Sequence, residues 1–155
     1  MAGPPGRQAG RFDAYRLARE RDLLEGTVDV STLPRVADRL AAVSAPIGWR
    51  IQGASDAVGR PALTVSLDGE VSLECQRCLG PLAFPIASQT KLLLARDDAE
   101  AARLDEDSDA EVVLAQSPLD PLTLVEDELV LAIPFAPRHE DEACEPPDAG
   151  ASGPH

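Results

Sequence analysis

The chain predicts an α+β fold: an antiparallel sheet of about five strands, one of them long and bent, with two or three helices packed against it. Three observations carry that expectation. Leu63, Val65, Leu67, Gly69, Val71, Leu73 and Cys75 alternate with polar residues, the period of a strand buried on one face. Apolar residues at spacings of three and four mark helices over 33–45 and 121–133. Turn signals at 54–60 and 79–81 separate the extended stretches.

Residues 1–11 and 145–155 are too rich in Gly, Pro and small side chains to pack and are expected to be disordered, which leaves 12–144 as a single domain. A short helix over 12–21 opens it, followed by a strand in which Leu24, Gly26, Val28 and Val30 alternate. Ser31 or Thr32 caps the next helix, with Pro34 in its first turn and Leu33, Val36, Leu40 and Val43 along one side until Pro46 stops it. Ile47, Trp49 and Ile51 form a strand that turns through 54–60 into the long one. Asp68 and Gly69 invite a two-residue hairpin there, but that turn pairs Leu67 with Glu70 and Val65 with Ser72, apolar against polar. A three-residue loop repairs the register; one strand bent at Gly69 needs no repair and is preferred.

Beyond the turn, Leu82, Phe84 and Ile86 alternate and the chain stays extended to about Ala95. Residues 97–111 read as a flexible acidic loop. Asp105, Asp107 and Asp109 imitate the start of a calcium-binding loop, yet Ala110 stands at its glycine position and Gln116 at its bidentate glutamate position. A short strand over 112–115 leads to Asp120 as cap and Pro121 as first residue of the last helix, which Pro134 ends. Leu122, Val125, Leu129, Ala132 and Ile133 are its expected core face. Leu124, Val130 and Leu131 leave it apolar on a second side, the pattern of a central helix or of one that docks a partner.

Charge is unevenly placed. Of the net −13, residues 97–155 hold two Arg against seventeen acids, whereas residues 1–50 hold eight Arg against six acids. An acidic half repels nucleic acid and attracts basic proteins, which makes Glu126, Asp127 and Glu128 the candidate partner-binding residues. Arg11, Arg16, Arg19 and Arg21 form the only basic cluster and are the first place to look for contact with phosphate, although a solvated helix face explains them more readily. With aromatics at 3% and scattered singly, no interleaved stacking surface is visible. No secretory signal or membrane span is apparent, so a cytoplasmic location is expected.

In that setting a C-x-x-C binds metal or performs catalysis more often than it forms a structural disulfide. Cys75 and Cys78 lie where one strand turns into the next. With His139 and Cys144 they form a three-cysteine, one-histidine set suited to one structural zinc; thiols filling a corner of the core are the alternative. Thiol redox chemistry at Cys75 and Cys78 is the rival, but the redox arrangement places C-x-x-C at a helix N-terminus, and here a strand is expected to follow. There is no phosphate loop, no G-x-S-x-G and no carboxylate pair beside an expected pocket, so neither an enzyme nor a small-molecule substrate is expected.

LECQRCL at 73–79 and LTLVEDELVLAIPFAPRHEDEAC at 122–144, in that order, resemble the YceD family of bacterial proteins, and the resemblance spans roughly residues 12–144. It implies a non-enzymatic part in synthesis, processing or stability of the large-subunit (23S) ribosomal RNA. At a pI near 4.4 such a factor is expected to reach that RNA indirectly, through a basic large-subunit ribosomal protein or an assembly factor. Direct RNA contact through Arg11, Arg16, Arg19, Arg21 and Arg77 is the alternative.

Overall fold

The computed structural model describes residues 10–42, 44–134 and 136–137. Its five strands lie in sequence order, β1 (Leu23–Val28), β2 (Ile47–Ser55), β3 (Pro61–Glu74), β4 (Pro81–Ala95) and β5 (Glu111–Leu114). The α+β expectation is met. The first three pairings are antiparallel, but β5 runs parallel to β4, pairing Leu92 with Glu111 and Ala95 with Leu114. A parallel neighbour needs a crossover. The helix Asp98–Asp107 supplies it.

That helix, α3 in chain order after α1 (Ala14–Glu20) and α2 (Pro34–Ala37), replaces the flexible loop expected over 97–111. The run of acids masks a cap: the Asp97 carboxylate accepts the Glu100 amide at 2.8 Å, and the Glu100 carboxylate accepts the Arg96 amide at 2.7 Å. This reciprocal pair is close to a capping box, and the alanines that follow favour helix. Leu104 then buries with Ala62, Leu93 and Ala95 on one face of the sheet.

β3 is the single long strand expected. Its pairing to β4 runs from Ala62 to Glu74 and passes through Gly69 without a break. Gly69 has φ 156°, a backbone conformation that favours glycine, and a Cβ there would displace the end of the Ile47 side chain, which it would meet at 2.5 Å. β2 leaves β3 at this point, its last pair being Gly48 with Asp68. The exposed edge beyond is covered by the chain after α2: Leu40 bridges Leu73, and the Ala41 amide donates to the Ser72 carbonyl at 2.8 Å. The helix expected over 33–45 therefore ends after four residues. Satisfying the open β3 edge overrides its helical period.

The main core lies on the opposite face from α3. Ile47, Trp49 and Ile51 of β2, Leu63, Val65 and Leu67 of β3, and Ile86, Leu92 and Leu94 of β4 meet Val30, Leu33 and Val36 and the apolar side of α4 (Pro121–Ala132). α1 is capped by Asp13 and packs on β2 and β3 through Leu17 and Ala18. Phe12 and Leu119 exchange two 2.8 Å backbone hydrogen bonds, which ties the start of the domain to the entry of α4.

Candidate functional site

α4 begins as expected, with Asp120 accepting the Leu122 amide and Pro121 in the first turn. Its core face differs from the expected one. Leu124, Val125, Leu129 and Ile133 are buried, whereas Leu122 and Ala132 are half-buried. The acids 126–128 do not form one solvent-facing row. Glu126 and Asp127 are held by Arg35 of α2: its amide donates to the Glu126 carboxylate at 2.8 Å, and its guanidinium pairs with Asp127.

Glu128 points the other way, 6% exposed, towards Thr90 of β4 and Glu111 of β5. Burial, the hydrogen bond to Glu111 and the charges of Glu111 and Asp127 push its pKa up to about 7, against the smaller opposing effect of the Thr90 hydroxyl. Glu128 is therefore a proton-sharing member of a carboxyl pair rather than a standing charge.

Beside this pair runs an open groove of about 450 Å³ between α4 and β5, reached also by Asp105 of α3. Asp105, Glu111, Asp127 and Glu128 line it together with Val113, Val130 and Leu131, and Arg35 is the cation in its wall among the described residues. Leu131 is 65% exposed. The second apolar side of α4 read from the sequence thus splits: Leu124 is buried inward, and Leu131 faces the groove rim.

The C-x-x-C forms the tight connection between β3 and β4. Cys75 and Cys78 are 0% and 2% exposed. The Cys75 amide donates to the Gly80 carbonyl at 2.9 Å, the Leu79 amide donates to the Cys75 carbonyl at 2.7 Å, and Leu79 takes the left-handed conformation with φ 65°. The Arg77 amide points at the Cys75 sulfur, 3.4 Å away. A strand follows, so no helix N-terminus is available to lower a thiol pKa. His139 and Cys144 lie outside the described residues. Among the described residues no group of three or more metal-ligating side chains converges.

The arginines separate. Arg16 pairs with Glu20 along α1 at 3.2 Å. Arg19 and Arg21 instead line a cleft of about 990 Å³ with Tyr15, Ser55 and Arg96, the last from the far end of β4 and not singled out by the sequence. Arg21 donates to the Ser55 hydroxyl at 2.9 Å, and the Arg96 guanidinium lies 5.1 Å from the Tyr15 ring centroid. Arg11 is exposed and does not line the cleft. Arg77 lies at the opposite end of the β3 and β4 hairpin, roughly 40 Å away along a strand of 14 residues.

Two features now stand in chain order: a C-x-x-C turn joining two long antiparallel strands, and an acidic helix that sets Asp127 and Glu128 in the wall of a groove on the sheet edge. The model of one family, large ribosomal RNA subunit accumulation protein YceD, matches residues 63–154. The chain belongs to the YceD family. The match takes in most of β3, the cysteine turn, α3, β5 and α4, and leaves α1, β1 and β2 outside it, so it is shorter at the start than the resemblance read over 12–144. Membership carries a role in accumulation of large-subunit ribosomal RNA, and hence in ribosome biogenesis, to this YceD chain. No solved structure matches it. No helix of the described residues is long and apolar enough to cross a membrane.

Proposed function

We propose that this YceD-family chain supports 23S ribosomal RNA as a non-enzymatic binding factor, holding a basic segment of a large-subunit ribosomal protein or assembly factor in the groove between α4 and β5. The observation that carries the proposal is the composition of that groove, four carboxyl side chains beside Val113, Val130 and exposed Leu131. Lys and Arg side chains combine a cationic head with an apolar stem, so an extended basic segment meets both halves of such a wall. All the groove-lining residues except Arg35 lie within the stretch that matches the family.

The test is recovery of bound proteins from cells with and without RNase, using the unchanged chain beside Asp105→Lys and Leu131→Asp variants. Retention of the same basic protein after RNase, and its loss from both variants, supports groove binding. Loss of every ribosomal protein after RNase sinks it.

A second reading has its own observation. The cleft lined by Arg19, Arg21 and Arg96 presents three guanidinium groups and an aromatic ring, while the carboxylate in its wall, Asp13, already accepts the Arg16 amide at 3.1 Å. Guanidinium groups beside a ring suit a single-stranded RNA segment. Direct RNA contact would therefore be sited at this cleft and exclude Arg77.

A further inference from the structure

We infer that the outer edge of β5 is a strand-addition site, on which an extended segment of alternating basic and apolar residues pairs as a sixth strand of the sheet. The inference rests on the groove reading above and names how the partner is held, by its main chain as well as by its side chains. β5 is the last strand of the sheet, and among the described residues β4 is its one strand partner. The Ala115 amide donates to the Ala95 carbonyl at 2.8 Å, so the main chain of Glu111, Val113 and Ala115 is directed at β4. Alternation then turns the amides and carbonyls of Val112 and Leu114 outward, where no strand meets them among the described residues. Open edges are ordinarily blunted by proline, lysine or a covering segment. The edge of β4 short of the β5 pairing carries Pro81 and Pro85, and the edge of β3 past Asp68 is covered at Leu40 and Ala41. β5, with the sequence EVVL, carries neither proline nor lysine.

The side chains of an added strand alternate between the two faces of the sheet, and the faces beside β5 differ. On the α4 side Glu111 and Val113 stand in the groove with Asp127, Glu128 and the exposed Leu131, and Asp105 reaches the same groove from α3. On the other side Val112 packs with Leu93, Ala95 and Leu104, and Leu114 next to it is 38% exposed. A basic side chain therefore suits each position over the groove, and an apolar one suits each position beside Leu114. Main-chain pairing supplies affinity that is indifferent to sequence, and this alternation supplies the selection: Lys or Arg at every second residue, with Val, Ile or Leu between. A second copy of this chain fits the edge poorly, because pairing β5 with β5 sets one acidic groove beside another.

The test measures affinity of the full chain for an acetylated, amidated peptide of four Lys-Val repeats by calorimetry at low ionic strength. Leu114→Pro removes an outward amide and leaves every residue that lines the groove in place, whereas Asp105→Lys changes the charge of the groove. Two further peptides carry N-methyl groups on all the lysine amides or on all the valine amides, which keeps their charge and side chains and needs no change to the protein. The expected result is that Leu114→Pro weakens the unmethylated peptide more than ~10-fold, and that one methylated peptide loses as much while the other loses little. Loss on valine methylation marks antiparallel addition, and loss on lysine methylation marks parallel addition. Equal affinity for all three peptides, with Asp105→Lys still weakening each, overturns strand addition and leaves the groove reading standing. A folded chain that binds none of the three overturns both. A free chain that is dimeric, and monomeric as Leu114→Pro, assigns the edge to a second copy and overturns the inference.

Discussion

Glu128 of α4 and Glu111 of β5 share a hydrogen bond that only a protonated carboxyl group can donate, and both line the groove between the helix and the edge of the sheet. Folding therefore retains a proton that the unfolded chain releases. The pKa of Glu128 rises from an ordinary 4.5 to about 7, so the native state binds more protons than the unfolded state across that interval. Stability then falls as pH rises through it, by on the order of 2 kcal/mol for a site at the mouth of a wet groove.

Glu128→Gln removes the titration and retains a donor for Glu111 and an acceptor for Thr90. Urea midpoints measured from about pH 5 to 8 should decline for the unchanged chain and flatten for the variant, which should be the more stable of the two at the alkaline end. Parallel curves would show that the shared proton has no part in stability.

The same carboxyl pair explains what is and is not legible in the sequence. Local signals are enough for β3, whose alternation decides between a hairpin at Asp68 and Gly69 and one unbroken strand, and for α4, which Asp120 and Pro121 start as their chemistry requires. The acids at 126–128 read locally as plain charge, and nothing near them reveals that Glu128 turns inward: its partners, Thr90 and Glu111, arrive through strand pairing. α3 does carry a local signal, but its D-x-x-E cap is outweighed by the density of negative charge around it. The helix expected over 33–45 has the right period and loses to the unpaired edge of β3, a demand that exists only after the sheet has formed. Arg96 and Arg21 come to one cleft from the ends of different elements, a juxtaposition with no local signature.

Arg35 is the cation that already occupies part of the acidic wall: its guanidinium pairs with Asp127, its main-chain amide donates to Glu126, and half its side chain is exposed. Arg35→Ala leaves the Asp127 carboxylate to the groove, while the main-chain amide at position 35 still holds Glu126. If a basic segment binds there, its affinity should rise roughly 2- to 5-fold at low ionic strength and the gain should fade with added salt. A weaker complex, or no change at any salt concentration, would place the contact elsewhere.

Gly53 is where α1 approaches the sheet most closely. A Cβ at that position would lie 1.9 Å from the Leu17 carbonyl oxygen and 2.9 Å from Ala18 Cα, both main-chain atoms that cannot turn aside. Gly53→Ala should therefore cost about 3 kcal/mol in chemical denaturation, at the upper end of overpacking effects. Gly48→Ala is the control on the same strand: its nearest contact would be an ordinary 3.5 Å, so its loss should be well under half as large. Equal losses for the two would mean that α1 does not pack on β2 at this distance.

The arginines that line the basic cleft with Tyr15 decide whether it is a binding surface or part of the scaffold. The Tyr15 hydroxyl is buried and meets no hydrogen-bond partner among the described residues, while its ring lies under the Arg96 guanidinium. An orphaned hydroxyl costs stability, so Tyr15→Phe should stabilise the fold by about 1 kcal/mol. The buried hydroxyl is out of reach of a ligand, so the same variant should leave binding of single-stranded large-subunit RNA segments unchanged even if the cleft serves RNA. Arg19→Ala, Arg21→Ala and Arg96→Ala should then each lower affinity and flatten the dependence of log affinity on log salt by about 0.7 for every phosphate no longer neutralised, with Arg77→Ala leaving both unchanged. Arginine variants indistinguishable from Arg77→Ala would leave the cleft as scaffold and the acidic groove as the site of function.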